Sequence, residues 1–267
     1  MAVTLVALSP HTSAAAEDPT DPTEGHTPCA IHYPSDDGIP WDCRRLQKGE
    51  TLERLFGARW PEVARFNRID RRHAYQGREI RVPRNLADLS AFAPLPGHLA
   101  VGEPYDQLIL IDLDEQYLGA YEQGKLRFAF PIASGEVEHE TPVGRFRITA
   151  ADPAHASCLY HIERTEVPYP MRYALRFHVN REGVSYWIHG RDMPGYPASH
   201  GCVGLYDEAM QRDYYGVPDH PQLEDARQLF EWVVGRKEGT TQPMELSSGP
   251  PVIIQGVAPG RRLPPRQ

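Results

Sequence analysis

Two rhythms of apolar residues divide the chain. Between Cys43 and Arg84 the spacing is helical and short. Leu52, Leu55 and Phe56 recur at i, i+3 and i+4, behind Thr51, whose hydroxyl suits a helix N-cap, and ahead of Gly57, which ends the helix. Trp60-Pro61 opens a second helix with proline at its first position; Val63 and Phe66 supply its apolar face and Asn67 closes it. Residues 44–47 and 77–83 read as strands on either side, so the order is strand–helix–helix–strand.

From Tyr105 the rhythm becomes that of strands. Residues 107–113 are an apolar run of buried-strand type; residues 116–122 and 125–134 follow across turns at Asp114-Glu115 and Gln123-Gly124. Residues 145–149 continue the pattern, residues 176–180 and 184–189 form a hairpin, and residues 252–254 are a last strand. One helix is predicted over 222–234, with Leu223, Ala226, Phe230 and Val233 on one face and Gly235 as its stop. The stretch 86–104, with Pro94, Pro96 and Gly97, reads as a linker. The expected fold is therefore mainly β with a small βααβ unit in front. Its 26 prolines and 22 glycines agree with a chain rich in strands and loops.

The ends add little structure. Residues 1–16 carry a short apolar stretch ending in Ser13-Ala14-Ala15-Ala16, similar to a signal-peptidase site although a basic start is missing. With a polar, proline-containing stretch up to residue 28, this predicts an exported protein of the periplasm or cell wall; residues 257–267 read as a disordered tail. No apolar run approaches the ~18 residues of a membrane span.

Charge is unevenly placed. The net charge is −8, yet residues 43–84 hold twelve Lys/Arg against five Asp/Glu. That local excess suits either an anionic polymer partner or a solvated surface. No nucleic-acid-binding motif accompanies it, so nucleic acid is not expected as a partner. Of four cysteines, Cys29 and Cys43 flank a loop and can pair in an oxidising compartment, and Cys158 reads as a small strand residue.

The chemistry concentrates in Ile188-His189-Gly190 and Ser199-His200-Gly201-Cys202. A cysteine nucleophile needs a base within reach, and an acyl-transfer intermediate needs N–H groups aimed at its oxyanion. His189 ends a predicted strand, and the loop through Pro194, Gly195 and Pro197 returns the chain to Cys202. His200 is the nearer but weaker candidate for the base. A zinc site of His189, His200 and Cys202 is the alternative; it lacks a paired-cysteine spacing and an obvious fourth ligand. No cofactor is expected.

Residues 41–85 resemble a LysM domain through Lys48-Gly49-Glu50-Thr51-Leu52, Asn67, Gly77 and Val82-Pro83. The resemblance implies contact with N-acetylglucosamine-containing glycans near Gly49–Leu52 and near residues 67–70. Residues 105–256 resemble the L,D-transpeptidase (YkuD-like) catalytic domain. The carriers are Gln116, Gly124-Lys125, Thr141-Pro142-Val143-Gly144-Arg145-Phe146, Pro170-Met171-Arg172-Tyr173 and the two motifs above. The resemblance implies a β-sandwich-like fold acting on peptidoglycan stem peptides, and acylation by carbapenems. Cys202 matches the nucleophile and His189 the general base. Gly190 matches the residue whose carbonyl orients that histidine. Gly201 and Cys202 match the oxyanion donors, and His200 and Ser199 match supporting positions. Tyr173 and Arg176 fall near the family's substrate groove. Cys202 would attack the carbonyl after the third stem residue and release D-alanine; the thioester then passes to an amine, or to water in a carboxypeptidase or hydrolase. A wall-binding protein with an idle catalytic domain is the remaining alternative. It is kept open by Gly204, which stands where the family usually has Asn or Arg.

Overall fold

The computed structural model describes residues 27–162, 165–235 and 242–260; the signal-like segment and most of the predicted tail lie outside them. The front unit is β1 (Trp41–Arg45), α1 (Leu52–Phe56), α2 (Trp60–Asn67) and β2 (Glu79–Pro83), with β1 and β2 antiparallel. Local chemistry sets its joints. Thr51 Oγ1 accepts from the Arg54 N–H at 3.3 Å as N-cap. The buried Asn67 side chain bonds Val63 and both backbone groups of Arg81, tying α2 to β2. A disulfide joins Cys29 to Cys43.

The rest runs β3 (Leu108–Asp112), β4 (Tyr117–Glu122), β5 (Lys125–Pro131), β6 (Gly144–Arg147), β7 (Ala150–Asp152), β8 (Ala156–His161), β9 (Pro168–Pro170), β10 (Ala174–Val179), β11 (Ser185–Arg191), β12 (Val203–Tyr206), α3 (Glu208–Tyr215), α4 (Asp225–Val234), β13 (Met244–Glu245) and β14 (Pro251–Gln255). Two five-stranded sheets, β12-β11-β10-β7-β13 and β5-β4-β3-β14-β6, face each other across one core. Ile109, Ile111, Leu118 and Phe130 of one sheet meet Leu175, Phe177, Ile188 and Val203 of the other, with Leu229 and Phe230 of α4 closing the core. Free Cys158 is exposed on β8.

Three expectations change, and one helix was not foreseen. The stretch 86–104 is not a free linker. Leu89 packs with Ile39, Val63 and Phe66, and Leu95 covers Leu108, Leu110, Tyr117 and Tyr121 on the outer face of the second sheet. Its prolines mark bends over a surface it must cover. The predicted helix over 222–234 starts only at Asp225, because the amides of Gln222 and Leu223 are both held by the Glu208 carboxylate. Helix α3 was not legible; it is capped by Asp207, which accepts from the Met210 N–H at 2.8 Å.

Part of the basic excess of the front unit is turned inward, while Arg44, Arg45, Lys48, Arg54 and Arg84 stay exposed. Arg65 forms a two-point pair with Asp225, and Arg71 one with Glu208. Arg68 and Arg81 are fully buried around Asp36. The charge asymmetry along the chain is thus in part an internal interface. Leu46, Leu52, Trp60, Ile69 and Ile80 share one cluster with Ala133, Met193, Tyr206 and Leu223 from the sandwich side.

Candidate active site

Strand register sets His189 and Cys202, the expected base and nucleophile, at neighbouring positions. β11 and β12 run parallel, with Ile188 opposite Val203 and His189 opposite Gly204. Ile188 and Val203 point into the core. Side chains alternate across a strand, so His189 and Gly204 share the opposite face, and Cys202, two residues before Gly204, joins them. Thirteen residues of sequence therefore shrink to neighbouring positions on adjacent strands.

His189 is buried, and its Nδ1 lies 2.8 Å from the Gly190 carbonyl oxygen. A carbonyl only accepts, so Nδ1 carries the proton and Nε2 keeps the lone pair. Burial pushes the His189 pKa down to about 3; the Gly190 carbonyl opposes this, and the Arg191 charge adds to it. The imidazole rests neutral, with the Nε2 lone pair able to accept a proton. Gly190 cannot carry a side chain, because a Cβ there would overlap the Asp207 carboxyl group. That carboxylate is held by Arg172 through Nε and Nη2 at 3.2 and 3.0 Å.

Cys202 sits at the end of a stapled turn. Ser199 Oγ accepts from the Gly201 N–H at 3.1 Å and donates to the Cys202 carbonyl at 2.5 Å. This changes one expectation: the Gly201 amide is spent inside the turn, so it is not offered to an oxyanion. Gly201 is required for other reasons, a φ of +103° and the Tyr186 ring, whose Cε1 would lie 2.6 Å from a Cβ. The turn is fastened to the segment after β5 by the Ser134 carbonyl, which accepts from the N–H groups of Ala198 and Ser199 at 3.0 Å. Gln116 in turn bonds Ser134 through both its amide oxygen and nitrogen. Burial pushes the Cys202 thiol up, while the Trp187 backbone and the Arg191 charge work the other way. The resting pair is therefore a neutral thiol beside a neutral imidazole.

His200 faces outward. Its ring stacks on Tyr160 at 5.1 Å and lies tilted against His139 at 4.3 Å, with Glu136 Oε1 3.8 Å from Nε2. It buttresses the outer wall of the site and does not stand beside His189. Among the described residues, His189, His200 and Cys202 do not form a converging ligand set. Groups with ligand atoms within 4.8 Å of one another include Glu136–His139–His200 and Asp70–His73–Asp192. In the second group both carboxylates are already bonded by Met193, Gln211, Tyr169 and Tyr215.

The connection 192–198 is gripped by the front unit. Asp70 Oδ2 accepts from the Met193 N–H at 2.6 Å, and the Met193 carbonyl accepts from the Asp70 N–H at 2.9 Å. Arg78 donates to the Pro194 carbonyl at 2.5 Å, and Tyr33 to that of Gly195 at 3.3 Å. Asn67, Arg68, Ile69 and Asp70 are all fully buried, which corrects the expectation that this stretch faces a glycan. Tyr173 is partly buried and packs against Phe230 at the rim of the sandwich core. Arg176 pairs with Trp187 on the outer face of β10 and bonds Glu245 at 2.8 Å and Thr149 at 3.1 Å. Sequence reasoning missed Asp70, Arg191 and Asp207. Arg191 had a signal, since position i+2 on a strand shares the face of His189.

Among curated proteins none matches the chain. Solved structures do. An L,D-transpeptidase from Stackebrandtia nassauensis matches at 21% identity over 58% of each chain with a TM-score of 0.39. One from Xylanimonas cellulosilytica matches at 24% identity over 72% of this chain and 78% of that one, with a TM-score of 0.40. One from Mycobacterium tuberculosis H37Rv matches at 14% over 89% and 86%, with a TM-score of 0.36. The chain spans 58% of the length of the first of these. Residues 106–254, more than half of the chain, match the model of the L,D-transpeptidase catalytic domain, YkuD. The chain belongs to the YkuD family of L,D-transpeptidase catalytic domains.

Proposed function

We propose that the chain is a cysteine-dependent L,D-transpeptidase that remodels peptidoglycan by acyl transfer between stem peptides. The observation that carries this reading is the register of β11 with β12, which sets Cys202, just before β12, near His189 on β11, with Nδ1 of His189 committed to Gly190. His189 Nε2 takes the thiol proton as Sγ attacks the carbonyl after the third stem residue. The Cys202 N–H is the donor left to the oxyanion from the expected pair. As the carbon–nitrogen bond breaks, His189 returns the proton to the departing D-alanine amine, leaving a thioester. An acceptor amine then attacks the thioester carbonyl, gives its proton to His189, and the thiol is regenerated with that proton. A side-chain amine of diaminopimelate on a second stem is the acceptor we assign.

The front unit is a LysM-like module on this reading, in a protein exported to the periplasm or cell wall. Residues 67–70 are buried, so glycan contact is confined to the edge at Gly49–Leu52, where Gly49 and Thr51 are exposed. No helix among the described residues is long and apolar enough to cross a membrane. Incubation with a defined tetrapeptide muropeptide and mass spectrometry of the products tests the assignment. A cross-linked dimer with loss of D-alanine supports it; intact substrate with the wild-type protein overturns it.

A further inference from the structure

Gly204 has no backbone reason to be glycine. It is a regular residue of β12, and it exchanges hydrogen bonds with Ala133 in both directions at 2.9 and 3.0 Å. What excludes a side chain is Arg191: a Cβ on Gly204 would overlap its Cγ and Cδ and lie 3.2 Å from its Nε. Arg191 ends β11 two residues after His189 and folds back over the gap between Cys202 and Tyr206. Its guanidinium reaches both ends of the connection from base to nucleophile. Nε donates to the Asp192 carbonyl and Nη2 to the Ala198 carbonyl, each at 3.1 Å. Arginine suits this place because its planar fork holds two acceptors at once, which a lysine ammonium does less rigidly.

We infer that Arg191 is a positioning residue of the acyl-transfer site, filling from β11 the space over Gly204 and fastening the turn that carries Cys202. The inference rests on the reading of Cys202 and His189 as an acyl-transfer pair. Its charge favours the Cys202 thiolate, the attacking form, and disfavours a protonated His189, which keeps the resting imidazole neutral. The ionisable groups around the pair are Tyr186 and Arg191 on β11, His155 beyond His189, and His200 with Glu136 and His139 on the outer side.

The test is a double-mutant cycle read by iodoacetamide alkylation of Cys202, followed by intact-mass spectrometry across pH. R191A and G204A each evict the guanidinium, the second by overlap. Each is expected to slow alkylation on the order of tenfold, a usual size for coupled neighbours, and to move its pH profile upward. The double variant R191A/G204A should be no slower than either single variant, and R191A/G204R should recover much of the loss. R191M, which keeps the alkyl chain over Gly204 without the charge, replaces R191A if that variant does not fold, and should keep the melting temperature while showing the same shift in profile. Wild-type alkylation by G204A, or losses that multiply in the double variant, would overturn the inference. Alkylation needs no transpeptidase substrate. A wild-type protein that alkylates normally but leaves the tetrapeptide intact would instead overturn the proposed function.

Discussion

Asp70 and Met193 exchange two hydrogen bonds across the boundary between the βααβ unit and the sandwich: the Asp70 carboxylate accepts from the Met193 N–H at 2.6 Å, and the Met193 carbonyl accepts from the Asp70 N–H at 2.9 Å. Met193 lies on the loop that joins base to nucleophile. The front unit is therefore part of the site's architecture.

Asp70→Ala should weaken both stability and acylation. The carboxylate also accepts from Gln211 Nε2 and His73, so its loss leaves several buried donors unpaired. Breaking such a buried ionic network costs about 3 kcal/mol or more. Urea unfolding and the rate of Cys202 acylation are the measurements, and a wild-type midpoint with wild-type acylation would contradict the clamp.

Cys202→Ala should abolish donor turnover, and the wild-type protein should gain the mass of one carbapenem on the peptide carrying Cys202. Both follow from a thioester intermediate at that sulfur. An adduct mapped to exposed Cys158 would count against the assignment.

The neutral state of the pair has a pH signature. An imidazolium–thiolate pair gives an alkylation rate that is already flat at neutral pH; here burial pushes the thiol up, so the rate should keep rising between about pH 6 and 9. Stability should move the other way on the acid side. The folded His189 has its pKa pushed down to about 3, whereas the unfolded chain binds that proton near 6.5. Its contribution is full above about pH 6.5 and is lost as pH falls towards 3, because protons then favour the unfolded state. His189→Gln should flatten that acid-side slope in urea melts taken at successive pH values.

Reducing the Cys29–Cys43 disulfide should lower stability by about 3 kcal/mol, from the entropy of a loop of this length. It should also loosen the connection 192–198, since Pro28 packs on Gly195 and Tyr33 bonds its carbonyl. Thermal melts with and without reductant check the first effect. Alkylation of Cys202 in the Cys29→Ser/Cys43→Ser double variant checks the second.

Much of the architecture is written in short-range pattern. The alternation that sends Ile188 inward and His189 outward, the Thr51 cap, the glycine turns and the pairing of a histidine-ended strand with a returning cysteine loop are all local, so they were legible in the chain. Residue type and spacing also singled out His189 and Cys202 as the pair to test. The tertiary structure alone decided which side chains are already occupied. Arg65, Arg68, Arg71 and Arg81 look like a basic surface until their partners, 32 to 160 residues away, are brought against them. Residues 67–70 look like an exposed glycan loop until Met193 and Pro194 cover them. Gly204 looks like a missing side chain until Arg191 is seen lying in its place. In each case the deciding contact joins residues far apart in sequence, and such a contact leaves no periodicity or spacing for the chain to display.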